Sequence, residues 1–188
     1  MVTTAERSSS AVLVQRILAA ASFAAEKHAK QKRKGALGEP YFNHLLEVAE
    51  LIATSSPELD VELVMAGFLH DTVEDTGVTL QELKDRFGSD VAELVAEVTD
   101  DKTLPKETRK HLQVQDAHTK SERAQTLKLA DKISNLRSIL ASPPVGWNLE
   151  RKQQYFEWAR QVVSGLTAPN QLLKAEFDKT YAMIAHLK

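Results

Sequence analysis

The chain has 188 residues, with 24 basic and 26 acidic side chains, a formal charge of −2 and no cysteine. The lack of cysteine excludes disulfides, thiolate metal sites and cysteine nucleophiles, and the near-neutral charge gives no electrostatic footprint for general nucleic-acid binding. No stretch approaches 18 uncharged apolar residues, and no basic start precedes an apolar segment, so we expect neither a membrane span nor secretion. The length fits one domain over residues 1–188, with residues 1–9 expected to be flexible. The absence of cysteine is compatible with a reducing cytoplasm, where we expect the protein to be located.

Helical periodicity and helix-end signals predict an all-α protein, a compact bundle of many helices. The predicted helices cover about residues 10–31, 42–53, 59–71, two short helices between 79 and 98, then 106–117, 121–140, 148–166 and a last one from 170. The predicted helix-end signals are Ser10, the Thr79–Glu82 capping box, a C-terminal cap at Gly88, Asn148 and Asn170. The sequence contains no convincing alternating strand pattern and no internal repeat.

The dipeptide His70-Asp71, at the end of the apolar run 64–69, is the strongest functional signal in the sequence. His44 lies in another amphipathic stretch, and Asp131 interrupts the apolar pattern of the helix at 121–140. Each residue alone has a simpler explanation, such as a packed core histidine or a surface carboxylate, but four such residues on neighbouring helices favour a joint site. Imidazole and carboxylate without thiolate suit one divalent ion of Mn, Fe, Co, Ni or Zn.

Two further acids, Glu74 and Asp75, follow these ligand candidates within about one helical turn. If the helix continues past Asp71, the Glu74 carboxylate points toward the metal side. A divalent ion lowers the pKa of a bound water to roughly 7 in favourable cases, and a neighbouring acid pair can orient that water and carry its proton. The simpler interpretation is a turn with helix-start charges before Thr76-Gly77.

A polar helix stripe and a group of cations predict a nucleotide-binding surface. Asp131, Asn135 and Ser138 are spaced i, i+4, i+7 and therefore share one helix face that suits a nucleoside. The cations that are candidates for phosphate binding are Arg33, Lys34, Lys102, Lys106 and Arg109. Tyr155 and Trp158 are predicted to lie in the core rather than to stack on a base.

Seven segments of the sequence resemble the hydrolase domain of the Rel/SpoT alarmone family, within the HD-superfamily phosphohydrolases. They are residues 30–34, 40–44, 68–76, 98–102, 128–137, 146–147 and 155–159. The strings His-Asp-Thr-Val-Glu-Asp-Thr at 70–76 and Val-Thr-Asp-Asp-Lys at 98–102 are more specific than the general His, His-Asp and Asp pattern. The chain looks most like the small stand-alone alarmone hydrolases, which include the metazoan SpoT-homologue type.

The resemblance implies a compact HD-domain bundle with one Mn²⁺ ion. Its implied ligands are His44, His70, Asp71 and Asp131. It implies hydrolysis of the 3′-pyrophosphate of ppGpp and pppGpp, the nucleotides of the stringent response, to GDP or GTP plus pyrophosphate. By the same match, Glu74 and Asp75 orient or deprotonate a metal-bound water. No synthetase domain follows in this sequence, so we expect degradation of the alarmone without synthesis.

The resemblance also implies which residues contact the substrate. Its assignments are Arg33 and Lys34 to the base and phosphates, Asn135 and Ser138 to the nucleoside, Lys106 and Arg109 to the phosphate tail, and Tyr155 to the pocket rim. Lys32, Leu45 and Ser134 depart from the expected family pattern, where an arginine, a proline and an aromatic residue or histidine are usual. None of the three is a candidate metal ligand, so the departures bear on guanine selectivity rather than on metal chemistry.

Two alternatives stay open from the sequence. The same site, acting as a phosphatase on the 2′-phosphate of NADPH or on a nucleoside monophosphate, would release orthophosphate instead of pyrophosphate. A non-catalytic alarmone-binding regulator would be expected to have lost a metal ligand or the acid pair, and this sequence retains all six residues. The expected partners are small nucleotides, with neither nucleic acid nor membrane, and homo-oligomerisation is left open.

Overall fold

The computed structural model contains ten α-helices; it describes the backbone of residues 4–188 and the side chains from residue 10 onward. They are α1 Thr4–Lys27, α2 Phe42–Thr54, α3 Val61–Leu69, α4 Thr72–Thr76, α5 Leu80–Phe87, α6 Ser89–Val98, α7 Lys106–Gln115, α8 Glu122–Ala141, α9 Leu149–Ser164 and α10 Gln171–Ala182. Within that range the β-structure consists of two isolated bridges, Lys32–Pro40 and Gly35–Pro144. The predicted all-α fold is confirmed. The flexibility expected of residues 1–9 stays a prediction, because their side chains are outside the described part of the structure.

The first helix differs from its prediction at both ends. It already includes Thr4, so Ser10 lies inside the helix and is not its N-cap. The preceding Ala5-Glu6-Arg7 segment consists of good helix formers, and a serine acts as a cap only where a helix starts. The helix ends at Lys27 instead of Gln31, because the following loop pairs with itself: the Tyr41 amide donates to the Gln31 carbonyl at 3.0 Å.

The other predicted helix ends are close to the observed ones, because their capping side chains act locally. The Thr79 hydroxyl accepts from the Glu82 amide at 3.1 Å, as the predicted capping box requires. The side chains of Asn148 and Asn170 accept from amides three residues later, at 2.9 and 3.1 Å. Gly88 has a φ of 93°, a left-handed conformation that favours glycine, and separates α5 from α6.

The predicted helix through Asp71 is interrupted at the His70-Asp71 dipeptide. α3 ends at Leu69 and α4 begins at Thr72. Two side chains take carbonyl groups that a continuous helix would use: His70 Nδ1 contacts the Gly67 carbonyl at 2.9 Å, and the Thr72 hydroxyl donates to the Leu69 carbonyl at 2.6 Å. The dipeptide therefore occupies a corner between two helices and not the middle of one.

The packing of α3 against α2 brings the two histidine-bearing segments together. All residues of α3 except Glu62 are buried, as predicted for a central helix. A Cβ atom at Gly67 would lie 3.1 Å from Ala49 Cα and 3.0 Å from Ile52 Cδ1, so glycine permits the close approach. Helix α8 packs against α2 and α10 and also contacts α3. None of the helices described has the length and apolar character that a membrane crossing requires.

Candidate active site

The four predicted metal ligands converge at one point of the bundle. His44 Nε2 lies 3.4 Å from Asp131 Oδ1 and 3.7 Å from Asp71 Oδ2. His70 Nε2 lies 3.1 Å from Asp71 Oδ2 and 3.9 Å from Asp131 Oδ1. Helix α2, the α3–α4 corner and α8 each contribute, and the two imidazole rings are 5.3 Å apart between centroids. One ion can therefore reach donors from three separate parts of the chain.

Hydrogen bonds at the opposite ring nitrogens prepare both histidines for a cation. His70 Nδ1 lies 2.9 Å from the Gly67 carbonyl, which can only accept, so that nitrogen carries the proton. His44 Nδ1 lies 2.8 Å from the Ser134 hydroxyl. The Nε2 atoms of both histidines are buried, with no hydrogen-bond partner among the residues described. These orphaned nitrogens beside two carboxylates fit a divalent metal ion of the nitrogen- and oxygen-seeking kind.

The electrostatics of the cluster also favour a bound positive charge. Burial alone would lower the pKa of His70, but the carboxylates of Asp71 and Asp131 outweigh it and raise the pKa to about 9. Burial would raise the pKa of Asp71, yet His70 and His44 hold it well below its usual range. The pKa of Asp131 is also lowered, since Lys132 and His44 overcome the effect of burial. Both carboxylates are therefore ionised at neutral pH and attract a cation.

Three polar side chains fix the two carboxylates. The Tyr41 hydroxyl donates to Asp71 Oδ2 at 2.6 Å, and burial followed by the charge of Asp71 raises the Tyr41 pKa, so the phenol stays a donor. Lys132 Nζ donates to Asp131 Oδ2 at 3.0 Å. Asn135 Nδ2 donates to Asp131 Oδ1 at 2.5 Å. Tyr41 belongs to one of the motif segments, but the sequence predicted no role for it; its position one turn before His44 was the available signal.

Glu74 and Asp75 form an acid pair beside the cluster, on the short helix α4. Lys102 Nζ lies 3.2 Å from Glu74 Oε1 and 2.9 Å from Asp75 Oδ1. Gln31 Nε2 donates to Asp75 Oδ2 at 2.8 Å. Burial, and then the negative charge of Asp71, raises the pKa of Glu74 above its ordinary value, which makes its carboxylate a better proton acceptor.

A cavity of about 930 Å³ opens over the acid pair. Every substrate-contact residue predicted from the sequence lines it, as do both acids: Arg33, Lys34, Glu74, Asp75, Lys106, Arg109, Asn135, Ser138 and Tyr155. A smaller cavity of about 170 Å³ shares Asp71, Glu74 and Asn135 with it and reaches His70 and Asp131. Eight of the 24 basic residues line the larger cavity, so a chain with a net charge of −2 still presents cations locally.

Aromatic residues complete the cavity wall, where two residues expected in the core, Tyr155 and Trp158, lie at its boundary with the cavity. Tyr155 and Trp158 are half-buried and line the cavity as well as packing on the core. Tyr155 also contacts Trp147, at 5.7 Å between ring centroids, and the Arg151 guanidinium lies 4.6 Å above the Trp147 ring. Arg151 has no role predicted from the sequence; its position one turn after the predicted helix cap Asn148 and near the Gly146-Trp147 motif was the available signal.

The comparisons with known proteins agree with this geometry. The HD-domain family profile matches residues 20–155. The chain is 50% identical over 158 residues to guanosine-3′,5′-bis(diphosphate) 3′-pyrophosphohydrolase MESH1 of Homo sapiens, a match that covers 84% of this chain and 88% of that protein. The Xenopus tropicalis protein of the same name is 47% identical over 165 residues, 88% of this chain and 92% of that one.

A solved structure supports the same relationship. It is described as a metazoan orthologue of SpoT that hydrolyses ppGpp and plays a role in starvation responses, and it matches with a TM-score of 0.86 at 40% identity. The match covers 89% of this chain and 94% of that one. The chain therefore belongs to the HD-domain family, and its relatives within that family include the MESH1 proteins.

Proposed function

We propose that this chain is a Mn²⁺-dependent hydrolase that removes the 3′-pyrophosphate of ppGpp and pppGpp, giving GDP or GTP and pyrophosphate. The observation that carries the proposal is that the ligand cluster adjoins a cation-lined cavity. Asp71 and the acid pair line that cavity, and His70 and Asp131 line the smaller cavity that shares residues with it. The names of its relatives at 47% and 50% identity support the same substrate. An HD domain implies a divalent ion, and the buried His44, His70 and Asp131 donors fit one.

The chain's own residues would hold the ion and align the reacting groups. His44, His70, Asp71 and Asp131 provide nitrogen and oxygen donors without thiolate, a set that Mn²⁺ accepts. Such an ion, when bound, lowers the pKa of a coordinated water and polarises a phosphoryl oxygen.

Glu74 is the proposed proton acceptor for the attacking water, because its raised pKa brings its basicity closer to neutral pH. Asp75 would orient the same water, since Gln31 and Lys102 fix both of its oxygens. The water oxygen attacks the phosphorus atom bonded to the ribose 3′-oxygen. That phosphorus–oxygen bond breaks, the 3′-oxygen takes a proton, and pyrophosphate leaves with the oxygen of the water.

The cation-lined wall supplies the proposed substrate contacts. Arg109 Nε is a buried donor with no hydrogen-bond partner among the residues described, which suits a phosphate oxygen. Arg33 Nη2 donates to Asn135 Oδ1 at 2.9 Å and lies over the Tyr41 ring, so its guanidinium plane is held in place beside the proposed nucleoside site. Lys34, Lys106, Ser138 and Tyr155 line the same cavity and complete the proposed contact set.

A substrate panel tests this proposal. The metal-stripped protein is offered ppGpp, pppGpp, NADPH and GMP separately, with Mn²⁺ and with chelator, and the products are identified by chromatography. We expect pyrophosphate from the first two substrates and only with the metal. Turnover confined to NADPH or GMP, with release of orthophosphate, would support the phosphatase alternative instead. Tight ppGpp binding without any turnover would support the regulator.

A further inference from the structure

A chain of polar contacts runs behind His44, on the side away from the proposed metal. The Ser134 hydroxyl lies 2.8 Å from His44 Nδ1 and donates to Glu47 Oε2 at 2.6 Å. His44 and Ser134 are buried, at 3% and 1% exposure, so water does not compete for their contact. Glu47 lies three residues after His44 on α2, and Ser134 lies three residues after Asp131 on α8. The contact therefore joins the two helices that carry these two proposed metal ligands.

The donor inventory of these three groups fixes the tautomer of His44. The Glu47 carboxylate can only accept, so it takes the single proton of the Ser134 hydroxyl. The hydroxyl oxygen then has only lone pairs to offer His44, and Nδ1 must carry a proton. The lone pair of the imidazole is consequently at Nε2, the nitrogen that faces Asp71 and Asp131.

Glu47 is itself held from a second side. Arg137 Nη1 donates to Glu47 Oε1 at 3.0 Å, while Arg137 Nη2 donates to Glu176 Oε1 at 2.6 Å on α10. Both oxygens of Glu47 are thus engaged, although about a third of its side chain is exposed. His70 needs no such support, because its Nδ1 contacts the backbone carbonyl of Gly67.

We propose that Glu47 and Ser134 are positioning residues that hold His44 in the tautomer and ring orientation needed for metal binding. The inference rests on the proposed metal centre but not on the identity of the substrate. Partners behind a ligating histidine typically contribute 10- to 100-fold in metal affinity. Ser134 was expected from the sequence to bear on guanine selectivity rather than on metal chemistry. Its contact with His44 instead gives it a supporting role at the metal site, without its being a ligand.

The test measures Mn²⁺ binding to metal-stripped protein by calorimetry, with no nucleotide present. We expect Ser134→Ala and Glu47→Ala each to raise the dissociation constant about 10- to 100-fold. Glu47→Gln retains an oxygen that can accept from Ser134, and its affinity should lie closer to that of the unaltered protein. Glu50→Ala, an exposed glutamate change on the same helix, is the matched control and should leave the affinity unchanged.

A second readout separates positioning from general stability. Under the proposal, the increase in melting temperature that Mn²⁺ produces shrinks in each variant, whether or not the loss of the buried contact also lowers the metal-free melting temperature. A lower metal-free melting temperature with unchanged Mn²⁺ affinity would assign the pair a merely structural role and overturn the inference. If Ser134→Ala does not fold, Glu47→Ala decides, because its side chain is partly exposed. Absence of Mn²⁺ binding to the unaltered protein would instead refute the proposed function.

Discussion

Replacing Asp131 with asparagine should remove most of the thermal stabilisation that the protein gains from a divalent ion. The proposed ligands come from α2, the α3–α4 corner and α8, so an unfolded chain does not present them together. An ion that binds only the folded state, at a free concentration of 100 times its dissociation constant, stabilises that state by about 2.7 kcal/mol. For a chain of this size the gain corresponds to a melting temperature higher by roughly 5–11 °C.

The assay is calorimetric melting of the metal-stripped protein with and without Mn²⁺. Asp131→Asn also leaves the buried Lys132 without its ion pair, so the quantity to compare is the metal-induced shift of each protein and not its absolute melting temperature. Asp85→Asn, an exposed aspartate change on α5, is the control and should keep the full shift. An unaltered protein that shows no shift, or an Asp131→Asn variant that keeps all of it, would contradict the prediction.

Three further predictions concern the acid pair, a buried lysine and a helix contact. Glu74→Gln should lower kcat about 10²- to 10⁴-fold, because it removes the proposed proton acceptor, while the metal-induced melting shift is unchanged; a kcat within tenfold of the original would contradict this role. Burial lowers the pKa of Lys128 to about 8 from the ordinary 10.5, so the folded state binds its proton more weakly than the unfolded state. The cost of burying the charged lysine is therefore absent well above pH 10.5 and complete below pH 8. In urea unfolding of the metal-free protein, Lys128→Met should raise the free energy of unfolding by about 2 kcal/mol more at pH 7 than at pH 10. An equal increase at both pH values would show that the pKa of Lys128 is not lowered. Gly67→Ala would place its Cβ 3.1 Å from the Ala49 backbone. The overpacking should outweigh the better helix propensity of alanine and lower the free energy of unfolding by about 1 kcal/mol. Unchanged stability in urea would show that α2 and α3 can move apart to accommodate a methyl group without cost.

The sequence predicts the helices well where the signal is local. Thr79, Asn148 and Asn170 satisfy amides within three residues, so their capping roles depend on little outside the segment itself. Ser10 carries the same kind of signal but lies inside α1, because a capping residue does not by itself stop a helix that has already begun. The break at His70 depends on side chains that take backbone carbonyls, a choice that apolar periodicity does not encode.

The candidate site was predictable where a residue type is unusual for its position on a helix. Histidines and an aspartate on otherwise apolar helix faces indicate His44, His70 and Asp131 from the sequence alone. Contacts between distant segments were not predictable, since Glu47 and Ser134 are 87 positions apart and meet only when α2 packs on α8. The catalytic and substrate-contact roles stay predictions, although every residue assigned to them lines the larger cavity.

The most direct test of the account is hydrolysis of ppGpp in ¹⁸O-labelled water, with the products analysed by mass spectrometry. Water attack at the phosphorus next to the ribose 3′-oxygen puts one labelled oxygen into pyrophosphate and none into GDP, and the reaction should require Mn²⁺ and Glu74. Label in GDP, release of orthophosphate as the first product, or undiminished turnover of the metal-stripped protein would contradict the account.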